Sequence, residues 1–192
     1  MSGPEPDSDP IRAEPTIGCS ELEQRASTLA LELGPALRAA GLRLATAESC
    51  TGGWLGALLT AAPGSSDYYL GGVVAYANAT KVALLGVAPE LLAYQGAVSE
   101  AVARAMAAGL RARLEADLAV SITGVAGPGG GTPGKPVGTV WIGLAGPEGS
   151  RAARHRFRGD RQAVRLAAAA AALEMLSVAV RERGAARAVA PD

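Results

Sequence analysis

The chain has 192 residues and a mass of 19.2 kDa, enough for one domain and too little for two sizeable ones. Hydrophobic residues make up 49% of it and charged residues 19%, so a substantial core can be buried and wholesale disorder is excluded. The 18 basic and 18 acidic residues cancel, which argues against a chain built mainly to hold nucleic acid or an anionic membrane.

Residues 1–23 set Glu5, Asp7, Asp9, Glu14, Glu21 and Glu23 against Arg12 alone, among Pro4, Pro6, Pro10 and Pro15. They are expected to form a disordered acidic tail, ahead of one domain over 24–185 and a disordered C-terminus over 186–192. Leucine spacing predicts a helix over Leu22–Ala40, kinked or broken at Gly34-Pro35. Leu42–Ala47 reads as a strand, Gly52–Ala62 as a helix, and Gly71–Ala77 as a second strand. Asn78 is a candidate N-cap for a short helix through Leu85, followed by a turn or two over Pro89–Tyr94. Ser99 is predicted to cap a longer helix to about Glu115, with Val102, Met106 and Leu110 on one face. Asp117–Thr123 reads as a buried strand, followed by a Gly/Pro-rich loop to Gly138. Thr139–Ala145 and Ala152–Phe157 form a predicted hairpin, and Asp160 is expected to cap a last helix to about Arg183. Early alternation of strands and helices with a late hairpin predicts a single α/β domain, a mixed β-sheet sandwiched between helices (α/β/α).

No apolar run reaches the ~18 residues of a membrane span, and no basic-then-apolar leader is visible, so a soluble cytoplasmic protein is expected. Cys19 and Cys50 are too few for a disulfide framework or a four-thiolate zinc site. The single histidine, His155, nearly excludes a Ser-His-Asp triad or a histidine-rich metal centre, and no metal or cofactor is expected. Only two of the 18 basic residues are lysines, Lys81 and Lys135. A lysine kept in an arginine-biased chain marks a place where a removable proton is useful, although two ordinary surface lysines explain the count as well.

Gly129–Lys135 nearly spells a phosphate-binding G-x-x-x-x-G-K loop, but Pro136 stands where Ser or Thr should follow, and a strand comes next instead of a helix. The G-x-G-x-x-G pattern through Gly129, Gly131 and Gly134 lacks the same helix. Arg151, Arg154, Arg156, Arg158, Arg161 and Arg165 surround His155, and spacing alone leaves a solvated basic face and a phosphate clamp equally open.

Chemistry concentrates in two segments. Ala47–Gly53 (AESCTGG) joins a strand to a helix through small residues, and a hydroxyl on such a turn faces unpaired N–H groups suited to an oxyanion. Taken alone, the same stretch reads better as a capping Ser or Thr. In Tyr76–Lys81 (YANATK), Lys81 falls in the first helical turn beside Val82, Ala83 and Leu84, so the helix dipole and burial would both disfavour its charge. A lysine base near neutral pH needs its pKa lowered by roughly 3 units, about 4 kcal/mol, which calls for both effects together.

These two segments, with Gly96–Glu100 (GAVSE), Ile122–Gly131 (ITGVAGPGGG) and Gly138–Ile142 (GTVWI), occur in an order that resembles the CinA C-terminal domain family, whose stand-alone form is a nicotinamide-nucleotide amidohydrolase. The resemblance runs from about Leu29 to Arg183, and the larger N-terminal domain of full-length CinA proteins is absent from this sequence. It implies deamidation of nicotinamide mononucleotide to nicotinate mononucleotide and ammonia, in pyridine-nucleotide salvage. It also implies Ser49 as nucleophile, Lys81 as base and Tyr76 as a catalytic neighbour, Ala77 replacing the usual Ser of the family's Y-S-N-x-x-K pattern. Cys50, Thr51, Gly52 and Gly53 on the first segment and Thr123 and Gly124 on the fourth are the expected substrate-binding positions. Glu48 is expected either to orient the site or to hold the ribose. Phe157–Arg161 with Val164-Arg165 is similar to the family's F-x-G-D-R-x-x-V-R segment, which favours Arg161 and Arg165 as the phosphate clamp. The expected partners are the nucleotide and further copies of the chain, with neither nucleic acid nor membrane. The alternative function is a non-catalytic nucleotide-binding protein associated with competence or DNA repair.

Overall fold

A computed structural model describes residues 18–189, with side chains through 184. The first helix, α1, spans Cys19–Ala40 without interruption. The expected break at Gly34-Pro35 does not occur. Pro35 forgoes one helical hydrogen bond, but Gly34 is needed for contact: a Cβ there would meet the buried Tyr68 hydroxyl oxygen at 3.0 Å. Leu33 and Leu37 are buried on either side, and this packing keeps the helix continuous through the proline. Residues 19–23, read from sequence as tail, are helical. The rest of that tail lies outside the described residues.

The sheet is built from β1 (Leu44–Glu48), β2 (Tyr69–Val74), β3 (Leu118–Gly124), β4 (Thr139–Gly146) and β5 (Gly149–Arg156) in the order β2-β1-β3-β4-β5. β1 runs parallel to β2 and β3, while β3–β4 and β4–β5 are antiparallel. Between them lie α2 (Trp54–Ala61), α3 (Asn78–Leu85), α4 (Pro89–Gln95) and α5 (Glu100–Leu114), and α6 (Arg161–Val189) closes the chain. Residues 186–189, expected to be disordered, continue this last helix.

Strand alternation divides the core in two. Leu44, Leu118, Val120 and Ile122 pack with α1, α2 and α6 on one face. Ala45, Ala47 and Ala119 pack with Val102, Met106 and Leu110 of α5 and Leu85 of α3 on the other. The result is the α/β/α sandwich expected from the sequence. Ser99 caps α5 by accepting from the Val102 amide, and Asp160 caps α6 by accepting from the Ala163 amide at 2.8 Å. Gly109 is needed where α5 crosses α3, since a Cβ there would lie 1.8 Å from the Leu85 carbonyl oxygen. The stretch Arg161–Gly184 is long and apolar enough to cross a membrane by length and composition, contrary to the reading that no run reaches that length. Its alanines make it so, and 67% of its most apolar window is buried inside the fold, as in a core helix.

Candidate active site

The carboxyl ends of β1, β2 and β3 share one edge of the sheet, the position where open α/β sheets leave a crevice. A cleft of about 280 Å³ opens there, lined by Ser49, Cys50, Tyr76, Asn78 and Lys81 on one side and by Thr123 to Gly127, Gly130 and Arg161 on the other. A larger cavity of about 370 Å³ lies at the opposite edge, near Leu118 and the β4–β5 turn. Its charged groups pair with one another, Arg183 with Glu148 and Arg151 with Glu182.

Glu48 ends β1 and Ser49 follows it, their side chains on opposite sides of the sheet. Ser49 meets α3, where Lys81 Nζ lies 3.1 Å from Ser49 Oγ. The same nitrogen lies 2.8 Å from the Ala75 carbonyl oxygen and 3.2 Å from that of Tyr76. Lys81 is 1% exposed, and burial lowers its pKa below the ordinary lysine value. Among the described residues no carboxylate pairs with it to hold it as an ammonium. As a neutral amine it can donate to both carbonyls and turn its lone pair to the serine hydroxyl. The N-cap of α3 is Ala77, not Asn78, so Lys81 is the fourth helical residue and its amide bonds the Ala77 carbonyl. Asn78, read from sequence only as a cap, instead lines the cleft one turn before Lys81. Its place in the Tyr-x-Asn-x-x-Lys pattern was the available signal.

Glu48 turns the other way, toward α2. Its buried carboxylate accepts the amides of Gly53, Leu55 and Gly56 at 2.8–3.0 Å, capping that helix from the preceding strand. It is thereby withdrawn from the cleft, which corrects its reading as a ribose ligand. The turn between is made by Gly52 and Gly53 at φ +65° and +95°, with the Gly52 amide donating to the Ser49 carbonyl. Both glycine amides, read from sequence as substrate contacts, are thus committed to the turn. Among the described residues no carbonyl or carboxylate engages the amides of Cys50 and Thr51.

Arg165 departs from its expected place as well. Its guanidinium donates from Nη2 (2.7 Å) and Nε (3.3 Å) to the Thr51 carbonyl and lies 4.7 Å from the centre of the Trp54 ring. It braces the turn from α6 and does not line the cleft. Thr51 is itself fully buried, its hydroxyl facing the interior. Arg161 does line the cleft, donating to the Gly127 carbonyl at 2.7 Å and to the Tyr76 hydroxyl oxygen at 2.8 Å. The Tyr76 hydroxyl therefore accepts from Arg161, while its main-chain carbonyl accepts from Lys81 Nζ. Thr123 lines the cleft with its hydroxyl donating to the Ala97 carbonyl, and Gly124 lies beside it.

Cys50 lines the cleft too, but burial pushes its thiol up to about 11, so it stays protonated and a poor nucleophile at neutral pH. Lys135 lies outside, donating to the Gln95 carbonyl. His155 stacks on Phe157 within β5 and the loop after it, 5.3 Å between ring centres. Among the described residues no group of three or more His, Cys, Asp or Glu is placed to hold a metal ion.

Residues 26–180 match the family model described as CinA C-terminal domain. A CinA-like protein of Synechocystis sp. is 53% identical over 156 residues, covering 80% of this chain and 38% of that protein. A CinA-like protein of Anaeromyxobacter sp. strain K is 57% identical over 145 residues, covering 76% of this chain and 36% of its own length. The chain therefore spans well under half of these relatives. Among solved structures, a competence-damaged protein (CinA) superfamily protein from Klebsiella pneumoniae superposes with a TM-score of 0.79 at 39% identity, covering 82% of this chain and 98% of that one. The competence/damage inducible protein CihA from Agrobacterium tumefaciens gives 0.74 at 39% identity, covering 88% and 99%.

Proposed function

The chain belongs to the CinA C-terminal domain family, and from that premise we propose that it is an amidohydrolase converting nicotinamide mononucleotide to nicotinate mononucleotide and ammonia in the cytoplasm. The observation that carries this reading is the buried Lys81 amine, held by two carbonyls with Ser49 Oγ as its remaining neighbour. A buried lysine paired with a serine hydroxyl and no carboxylate is the arrangement of a general base beside its nucleophile.

The chemistry balances on these groups. Lys81 takes the Ser49 proton as Oγ bonds to the carboxamide carbon, and the carbonyl oxygen becomes an oxyanion. The Cys50 amide, beside Ser49 on the cleft wall, is its donor, in place of the Gly52 and Gly53 amides. The tetrahedral intermediate collapses, the C–N bond breaks, and the Lys81 ammonium gives its proton to the leaving nitrogen, releasing ammonia. Lys81 then deprotonates a water that attacks the acyl-serine ester, and the proton returns to Ser49 Oγ as nicotinate mononucleotide departs. Arg161 at the cleft wall is the group suited to the 5′-phosphate.

The names of the structural relatives speak of competence and damage, which favours a second reading, a nucleotide-binding protein without turnover. Ammonia release separates the two. With chelator present throughout, the protein is expected to release one ammonia per nicotinate mononucleotide formed, and to act far more slowly on nicotinamide riboside, which lacks the phosphate. No ammonia from any nicotinamide compound would leave the binding reading. Equal rates on nucleotide and riboside would replace it with a phosphate-indifferent amidase.

A further inference from the structure

We propose that Arg165 is a positioning residue for the oxyanion site: by holding the Thr51 carbonyl it keeps the turn after Ser49 in the arrangement that presents the Cys50 amide to the cleft. The inference rests on the acyl-transfer reading above and assigns Arg165 a role other than the phosphate contact its sequence context suggests.

The argument follows the peptide planes of the turn. The plane between Ser49 and Cys50 is held by the Gly52 amide on the Ser49 carbonyl. The plane between Gly52 and Gly53 is held by the Gly53 amide on Glu48. The plane between Thr51 and Gly52 is held at its nitrogen end by the 3.1 Å contact with Ser49 and, among the described residues, at its oxygen end by Arg165 alone. Two glycines at positive φ follow, so this segment has the backbone freedom to rotate if the oxygen end is released. Rotation would break the Gly52–Ser49 closure and so release the Ser49–Cys50 plane that carries the Cys50 amide.

Arg165 is suited to this task and poorly placed for the other. It approaches with two N–H groups on one carbonyl, and its flat face rests on Trp54, the first residue of α2. A Cβ at Gly52 would lie 3.5 Å from its Nη2, so the guanidinium sits directly against the turn. α6 is anchored by buried Val164 and Leu166 on either side, so the arm reaches the turn from a rigid element. The phosphate role then falls to Arg161, one helical turn earlier and in the cleft wall.

The test compares Arg165→Ala and Arg165→Lys with wild type, measuring kcat and KM for nicotinamide mononucleotide. A fluorophosphonate probe on Ser49, with Ser49→Ala as background, supplies a readout independent of the nucleotide. Arg165→Ala is expected to lose about 10²-fold in kcat, the scale of a lost oxyanion donor, with KM nearly unchanged. Its labelling rate should fall about tenfold or more. Arg165→Lys, with one donor in place of two, should lie between, and added guanidinium ion should restore part of the Arg165→Ala rate. A rise in KM with kcat held would return Arg165 to the phosphate, and unchanged labelling would also overturn the proposal. If Arg165→Ala fails to fold, the Lys variant decides: wild-type kcat and labelling in it count against the proposal. A wild type that is labelled but never deaminates the nucleotide would discard the substrate while leaving Arg165 to be judged on labelling. A wild type that is not labelled would end both readings.

Discussion

The floor of the cleft and its rim are held on opposite terms. Ser49 and Lys81 at the floor are 8% and 1% exposed, whereas Tyr76 at the rim is 59% exposed and Arg161 beside it faces solvent. At the floor, removal from water lowers the pKa of an amine, so lysine is the useful residue because it can discharge. At the rim, a guanidinium keeps its charge at any ordinary pH and can meet an anion arriving from solvent. The difference assigns bond-making to the floor and recognition to the rim, and changes in the two should separate in kcat and KM.

The largest effect should come from the nucleophile. Ser49→Ala removes the hydroxyl on the Lys81 amine and is expected to lower kcat by at least ~10³-fold, with the fold retained by circular dichroism. Cys50→Ser should cost far less, because the thiol is held protonated and only the main-chain amide at that position enters the mechanism. The reverse ranking would move the nucleophile to Cys50 and break the division between floor and rim at its centre.

Lys81→Arg comes next. It keeps charge but cannot release a proton, and a drop in kcat of about 10²–10⁴ is expected in a folded protein. Lys135→Arg, on the carbonyl of Gln95 outside the cleft, should hold wild-type kcat. In the wild type, kcat should fall as pH drops through the lowered Lys81 pKa, because protonation fills the lone pair that accepts from Ser49. A folded, fully active Lys81→Arg rules out the Ser-Lys mechanism.

Local features of the sequence pointed to this floor without deciding it. A strand, a run of small residues and a helix announce a turn that offers either a cap or a presented hydroxyl, and a lysine among arginines is conspicuous but not decisive. It was the likeness of several segments in order to one family that selected Ser49 and Lys81. What misled was also local. Glu48 adjoins Ser49, but strand alternation sends the two side chains to opposite faces, so the carboxylate caps α2 while the hydroxyl meets α3. Arg165 reaches a carbonyl 114 positions away in the chain, a contact no spacing reveals. Asn78 reads as a cap because asparagine often is one, yet Ala77 takes that place with no side-chain bond and leaves Asn78 to the cleft. Pro35 reads as a break because the cost of proline is local, whereas the packing of Gly34 on Tyr68 that offsets it comes from a distant loop.

The smallest effect, and the one that sharpens the comparison most, is at Arg161. Its two nitrogens hold the Gly127 carbonyl and the Tyr76 hydroxyl, so the guanidinium already stands across the cleft before an anion arrives. A phosphate there would add a charge-assisted contact worth about 1.5–3 kcal/mol, reduced at an exposed position, so Arg161→Ala should raise KM for the nucleotide about tenfold. kcat should stay within a few-fold, because neither nitrogen touches Ser49 or Lys81. KM for nicotinamide riboside should barely move, since the lost contact has no counterpart in that compound. Added salt gives an independent check. Screening weakens a charge pair near solvent but scarcely reaches a buried amine, so KM of the wild type should rise with ionic strength and that of Arg161→Ala should not. If Arg161→Ala instead lowers kcat with KM held, the rim takes part in positioning the reacting atoms, and the division of labour drawn from burial is wrong at this residue.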